Sequence, residues 1–102
     1  MIIFWSNPAI DDLKGIQDYI SRGSEHYASE FIQRILETVQ QLEHFPELGR
    51  VIPEIRDLAA REIIFQNYRI LYRLKRDRID IAAVIHSRRD IRRKVVERWE
   101  VV

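Results

Sequence analysis

The sequence predicts an α+β domain in which an opening strand and a helical hairpin are followed by a three-stranded antiparallel meander and a short last helix. Two changes of pattern carry that prediction. Apolar residues recur at helical spacing through the first half of the chain, and strand-type alternation takes over from Arg61. Between them lies "FPELGRVIPE" (45–54), whose two prolines and one glycine mark a loop. All 102 residues are assigned to one domain, because a chain of this length buries one modest core.

Residues 2–5, Ile-Ile-Phe-Trp, are β-branched or aromatic and read as a buried strand. Asn7 before Pro8 reads as an N-cap with proline at the first helical position, where its missing N–H costs nothing. Ala9, Leu13, Ile16 and Ile20 then form one stripe, and Gly23 is expected to stop the helix in a left-handed conformation. Ser24 can cap a second helix carrying Ala28, Phe31, Ile32, Ile35, Val39 and Leu42, which ends before Pro46. Ile63 to Phe65 make a strand, Gln66-Asn67 a tight turn, and residues 68–74 a strand with Tyr68, Ile70, Tyr72 and Leu74 on its apolar face. A charged turn at 75–78 leads into a third strand from Ile79 to Ile85 or His86. Asp90 is expected to cap the last helix, with Ile91, Val95 and Trp99 on one side.

Apolar residues are 46% of the chain and charged residues 32%, a globular balance that argues against extended disorder. With no cysteine there is no disulfide, thiolate nucleophile or cysteine-type zinc site, which fits a reducing cytoplasm. No apolar run reaches the roughly 18 residues of a membrane span, so a soluble, cytoplasmic protein without a membrane partner is expected. The net charge of +1 conceals an asymmetry. Residues 1–60 hold five Lys or Arg against ten Asp or Glu, whereas residues 61–102 hold twelve against six. The basic half can attract nucleic acid or an acidic partner, although solvated strand and helix faces explain most such clusters.

No phosphate loop, HExxH motif or nucleophile elbow is present, and His26, His44 and His86 are too scattered to suggest ligands, so neither metal nor cofactor is expected. Basic and aromatic residues do recur on the predicted strands. Metal-free RNA cleavage needs a base for the 2′-hydroxyl, an acid for the leaving oxygen and cations on the phosphorane, which Glu54, Arg69 and His86 could supply together. Against this, Tyr68 and Tyr72 belong to the apolar stripe and suit a core. His86 falls by strand parity with Asp80, Ala82 and Val84 and suits a neutral strand end. Arg88 and Arg89 in "VIHSRRD" suit a solvated sheet edge. The spacing leaves these readings open.

The stretches "NPAIDDLKGIQDYI", "FPELGRVIPE", "REIIFQNYRILYRL" and "IAAVIHSRRD", in that order across nearly the whole chain, resemble the RelE/ParE superfamily of toxins from bacterial type II toxin–antitoxin systems. The resemblance implies the architecture above, a cognate antitoxin partner, and operator DNA reached indirectly through that antitoxin. Two activities divide the superfamily. ParE-like members poison DNA gyrase and in general lack nuclease residues. RelE-like members are metal-independent endoribonucleases that cleave mRNA on the ribosome, and their site residues would match Glu54, Arg69 and His86. The polar-faced hairpin and the ending "VIHSRRD" look closer to the ParE branch, in which Arg88, Arg89, Arg92, Arg93 and Lys94 would contact the target. A non-toxic binding module is the third reading. It alone predicts unimpaired growth when the chain is expressed without its antitoxin.

Overall fold

The computed structural model describes residues 1–87 and 91–99. Strand β1 (Ile2–Trp5) leads into helices α1 (Asn7–Ser21) and α2 (Glu25–Gln40), the latter extended by a 3-10 turn at Gln41–Glu43. Strands β2 (Arg50–Val51), β3 (Ala60–Phe65), β4 (Tyr68–Leu74) and β5 (Arg78–His86) follow, and helix α3 (Ile91–Trp99) comes last. The strands form one sheet in the order β1-β5-β4-β3-β2. The meander is antiparallel as expected, but β1 lies parallel to β5, with Ile3 beside Ile79 and Trp5 beside Ile81. A parallel pair needs a crossover, and the helical hairpin is that crossover.

The two faces of the sheet have different covers. On one, Phe31, Ile35, Val39 and Leu42 of the α2 arm pack with Ala9 and Ile16 of α1 against Ile70, Tyr72, Ile79, Ile81 and Val84. On the other, Leu71, Ala82, Ala83 and Ile85 lie under Ile52 and Ile55 of the 52–59 loop and under Trp99 of α3. The stripes read for α1 and α2 are therefore the ones packed on the sheet, with Leu13, Ile20 and Ile32 partly buried. No described helix is long and apolar enough to cross a membrane.

Local chemistry departs from the sequence reading at several points. Ser6, not Asn7, caps α1, its hydroxyl accepting from the Ala9 N–H at 3.3 Å, so that Asn7 and Pro8 are already helical. Ser24 caps α2 as expected, accepting from the Tyr27 N–H. Gly23 has no positive φ; the turn closes instead by the Gly23 and Ser24 N–H groups both donating to the Ile20 carbonyl. Gln66 takes the left-handed conformation in the β3–β4 turn, with φ 50°. The cap expected from Asp90 lies outside the described residues.

A β-bulge decides where the end of β5 points. Leu71 pairs with Ala83 but Tyr72 pairs with Ile81, leaving Ala82 as the extra residue. Alternation is thereby reset, and Val84 joins Ile79 and Ile81 under the helices. Ala83 and Ile85 join Ala82 on the opposite face. The parity expected for His86, with Asp80 and Ala82, is corrected accordingly: His86 lies on the helix side.

Candidate functional site

The charged centre of the molecule is a row of four side chains on the face away from α1 and α2. Arg50 of β2 stands opposite Glu62 of β3, and Glu62 lies diagonally from Arg69 of β4 in the register set by the Gln66-Asn67 turn. Arg69 Nε donates to Glu62 Oε1 at 3.0 Å and Nη2 donates to Glu62 Oε2. On its other side Nη1 and Nη2 donate to the two oxygens of Glu54 at 2.7 and 2.9 Å. Arg50 supplies Glu62 with a further donor at 3.1 Å. Two carboxylates thus grip one guanidinium in bidentate fashion, the geometry that gives charge-assisted bonds most strength. Only 8% of the Arg69 side chain is exposed and none of Glu62.

The electrostatics follow from these bonds. The hydrogen bonds from Arg69 hold the Glu54 carboxyl below its ordinary range, against the opposing effect of burial. Glu54 in turn raises the pKa of Arg69 further. A general base works best near the operating pH, and a cation on the phosphorane must have donors to offer. Its pairing with Arg69 moves Glu54 away from the first condition, and all three Arg69 nitrogens are engaged with carboxylates.

His86 is placed elsewhere. Its ring meets Tyr68 edge-on at 5.2 Å, and Tyr68 meets Phe31 of α2 at 5.7 Å. The structure therefore joins Glu54 to Arg69 but puts His86 on the opposite face of the sheet, so the three do not form one centre. His86 instead borders a groove of about 790 Å³ between the helical hairpin and the end of the sheet. Tyr19 and Tyr27 stand on the groove's helical wall, 69% and 49% exposed. No group of three acidic, His or Cys residues suited to a metal occurs among the described residues.

The basic C-terminal element is anchored at its far end. Arg98 donates to both oxygens of Asp12 on α1 at 2.7 and 2.6 Å, and the Val84 N–H donates to the same carboxylate at 2.9 Å. The Arg73 guanidinium lies 4.3 Å from the centre of the Trp99 ring. Of the cations assigned to target binding, Arg92 is exposed on α3. Arg93 and Lys94 fall within the same helix, and Arg88 and Arg89 lie outside the described residues.

Glu62, Arg50 and Asp12 make these contacts, and the sequence reading gave none of them a role in the site. One signal for Glu62 was present. It is a lone acid beside the apolar run 63–65, and the two-residue turn that follows places it diagonally from Arg69. No comparable signal links Asp12 to Arg98 across 86 positions.

With this geometry in hand, the comparisons place the chain. Residues 3–91 match the family described as the ParE toxin of the type II toxin–antitoxin system parDE. The chain belongs to that family, a toxin of the ParE branch. A solved structure titled as the chromosomal ParDE toxin–antitoxin system from P. aeruginosa is similar in fold, with a TM-score of 0.71 and 24% identity over 84% of this chain and 95% of that one. No curated protein matches in sequence.

Proposed function

We propose that this chain arrests growth as a poison of DNA gyrase, acting by binding and not by bond-breaking chemistry of its own. The observation that carries the reading is the division of the nuclease-type residues. Arg69 and Glu54 are paired on one face while His86 stands on the other, so these three residues do not converge on one phosphate. What remains for a target is the basic C-terminal third, where Arg88, Arg89, Arg92, Arg93 and Lys94 would contact gyrase or its bound DNA and stabilise the cleaved complex. The Arg98–Asp12 and Arg73–Trp99 contacts hold that helix to the domain.

The antitoxin is the neutralising partner in this reading. A flexible segment that folds on binding would enter the groove beside the hairpin, burying Tyr19 and Tyr27, and the complex would reach operator DNA through the antitoxin. Toxin held by antitoxin and released when the antitoxin is lost would stabilise a plasmid that carries both.

Replacing Arg88, Arg89 and Arg92 together by Ala tests the target surface. The folded triple variant is expected to lose growth arrest, and the logarithmic salt slope of its binding to gyrase–DNA complexes should fall by about three, one unit per lost phosphate contact. A folded triple variant as toxic as the parent would contradict the assignment.

A further inference from the structure

Part of the sheet face away from α1 and α2 is open to solvent. Ile52, Ile55 and Trp99 pack over Leu71, Ala83 and Ile85, whereas Ile2 and Phe4 of β1, on the same face, are 69% and 58% exposed. The register sets six side chains together there in two rows across β1, β5 and β4. Phe4, Asp80 and Arg73 form one row, and Ile2, Arg78 and Lys75 the other. Side-chain contacts bear out the grouping. Lys75 and Arg78 both pair with Asp80, the Arg78 guanidinium lies 5.5 Å from the centre of the Phe4 ring, and that of Arg73 lies over the Trp99 ring.

Three cations thus surround one carboxylate, and the carboxylate is the buried member, so the field leaving this patch is positive. Arg76 and Asp77 in the adjoining turn offset each other. The Met1 ammonium is drawn to the other side of the sheet, where it donates to the Glu43 carbonyl beyond α2. Glu47 lies on that side as well, in the loop tied to Tyr72.

We infer that the patch binds a short stretch of single-stranded DNA, with one unpaired base stacked on Phe4 and the adjoining phosphates held by Arg78 and Lys75. This goes beyond the gyrase reading, which assigns the target surface to the C-terminal cations, and it does not depend on that reading. Each nucleotide brings a π-face and a phosphate side by side, which matches an exposed ring with a guanidinium beside it. An acidic peptide supplies the charge but brings an aromatic partner only where its sequence happens to place one. Duplex DNA keeps its bases stacked on one another and has none to give. Ile2 and Phe4 present no donor or acceptor to a 2′-hydroxyl, which favours DNA over RNA.

The test is fluorescence anisotropy of a labelled oligothymidine of about 12 nucleotides, titrated with the purified full chain at several salt concentrations. The parent is expected to bind, more weakly as salt rises. Phe4→Ala should weaken binding roughly tenfold or more, and Phe4→Trp, which keeps a stacking face, should restore it. Arg78→Ala should lower the logarithmic salt slope by about 0.7, the value for one phosphate contact on a single strand. Arg34→Ala, a charge removed from the exposed side of α2, should change neither, and circular dichroism should show every variant folded. A parent without affinity for the oligonucleotide overturns the inference. So does binding indifferent to Phe4→Ala and Arg78→Ala but lost when Arg88, Arg89 and Arg92 are replaced, which would move the DNA contact to the C-terminal cations. Equal or tighter binding of the matching duplex, of oligouridine or of a poly-glutamate peptide would likewise contradict it. Gyrase is absent from these titrations, so their outcome is separate from that of the gyrase reading.

Discussion

Replacing Arg69 by Met is expected to destabilise the domain by about 3–5 kcal/mol, because it leaves Glu54 facing buried Glu62 with no guanidinium between them. That is a large part of the roughly 5–15 kcal/mol that holds a domain of this kind together. The pH dependence identifies the cause. In the parent the folded pKa of Glu54 lies below its unfolded value, so its stabilisation is complete above the ordinary carboxylate range and is lost as pH falls through the folded value. In the Met variant burial acts on Glu54 without the compensating cation, which favours the protonated form. The stability gap between parent and variant should therefore narrow as pH is lowered from about 7 to about 4, read from denaturant curves at each pH. A gap that stays constant would mean that the loss is one of packing alone. Adding Glu54→Gln to the Met variant should recover part of the lost stability at neutral pH, since it removes one uncompensated charge.

Gly49→Ala should cost about 3 kcal/mol, for a steric reason confined to that position. A Cβ there would stand 2.5 Å from the Glu62 carbonyl oxygen and 2.8 Å from both the ring and the hydroxyl of Tyr72. Neither neighbour can give way. Glu62 is paired within the sheet, and Tyr72 is wholly buried, its hydroxyl accepting from the Gly49 N–H at 2.9 Å and donating to the Pro46 carbonyl at 2.8 Å. Those two bonds tie the 46–49 loop to the centre of β4, and moving the loop breaks both. The same substitution at Gly15, inside α1 with no atom within 4 Å of an added Cβ, should instead stabilise by about 0.5–1 kcal/mol. Thermal melts of the two single variants should shift in opposite directions. A Gly49→Ala melt at or above the parent's would refute the close packing described for the loop.

Periodicity made the helices and the meander legible, because each element carries its own apolar face and the Gln66-Asn67 turn fixes how β3 meets β4. It failed where structure depends on partners distant in sequence. Strand β2 is two residues between Gly49 and Pro53 and has no pattern of its own. The face of His86 depends on a bulge whose cause lies in the fit of β5 to β4, and one extra residue reverses every side chain beyond it. Glu54 and Arg69 were paired by resemblance to a family, and their contact is in the structure. The resemblance also brought in His86, which the bulge and the tight turn place across the sheet. The residues named for target binding rested on their charge, and the structure adds the anchoring of α3 through Asp12, which no spacing reveals.

The central claim is that harm comes from binding gyrase, and a supercoiling reaction with purified, antitoxin-free chain tests it most directly. Lost supercoiling should be accompanied by linear plasmid released on protein denaturation, and Arg69→Lys, if folded, should still produce it. Gyrase unaffected by folded chain, together with ribosome-dependent mRNA cleavage that vanishes in a folded His86→Gln variant, would contradict the account and restore the nuclease reading.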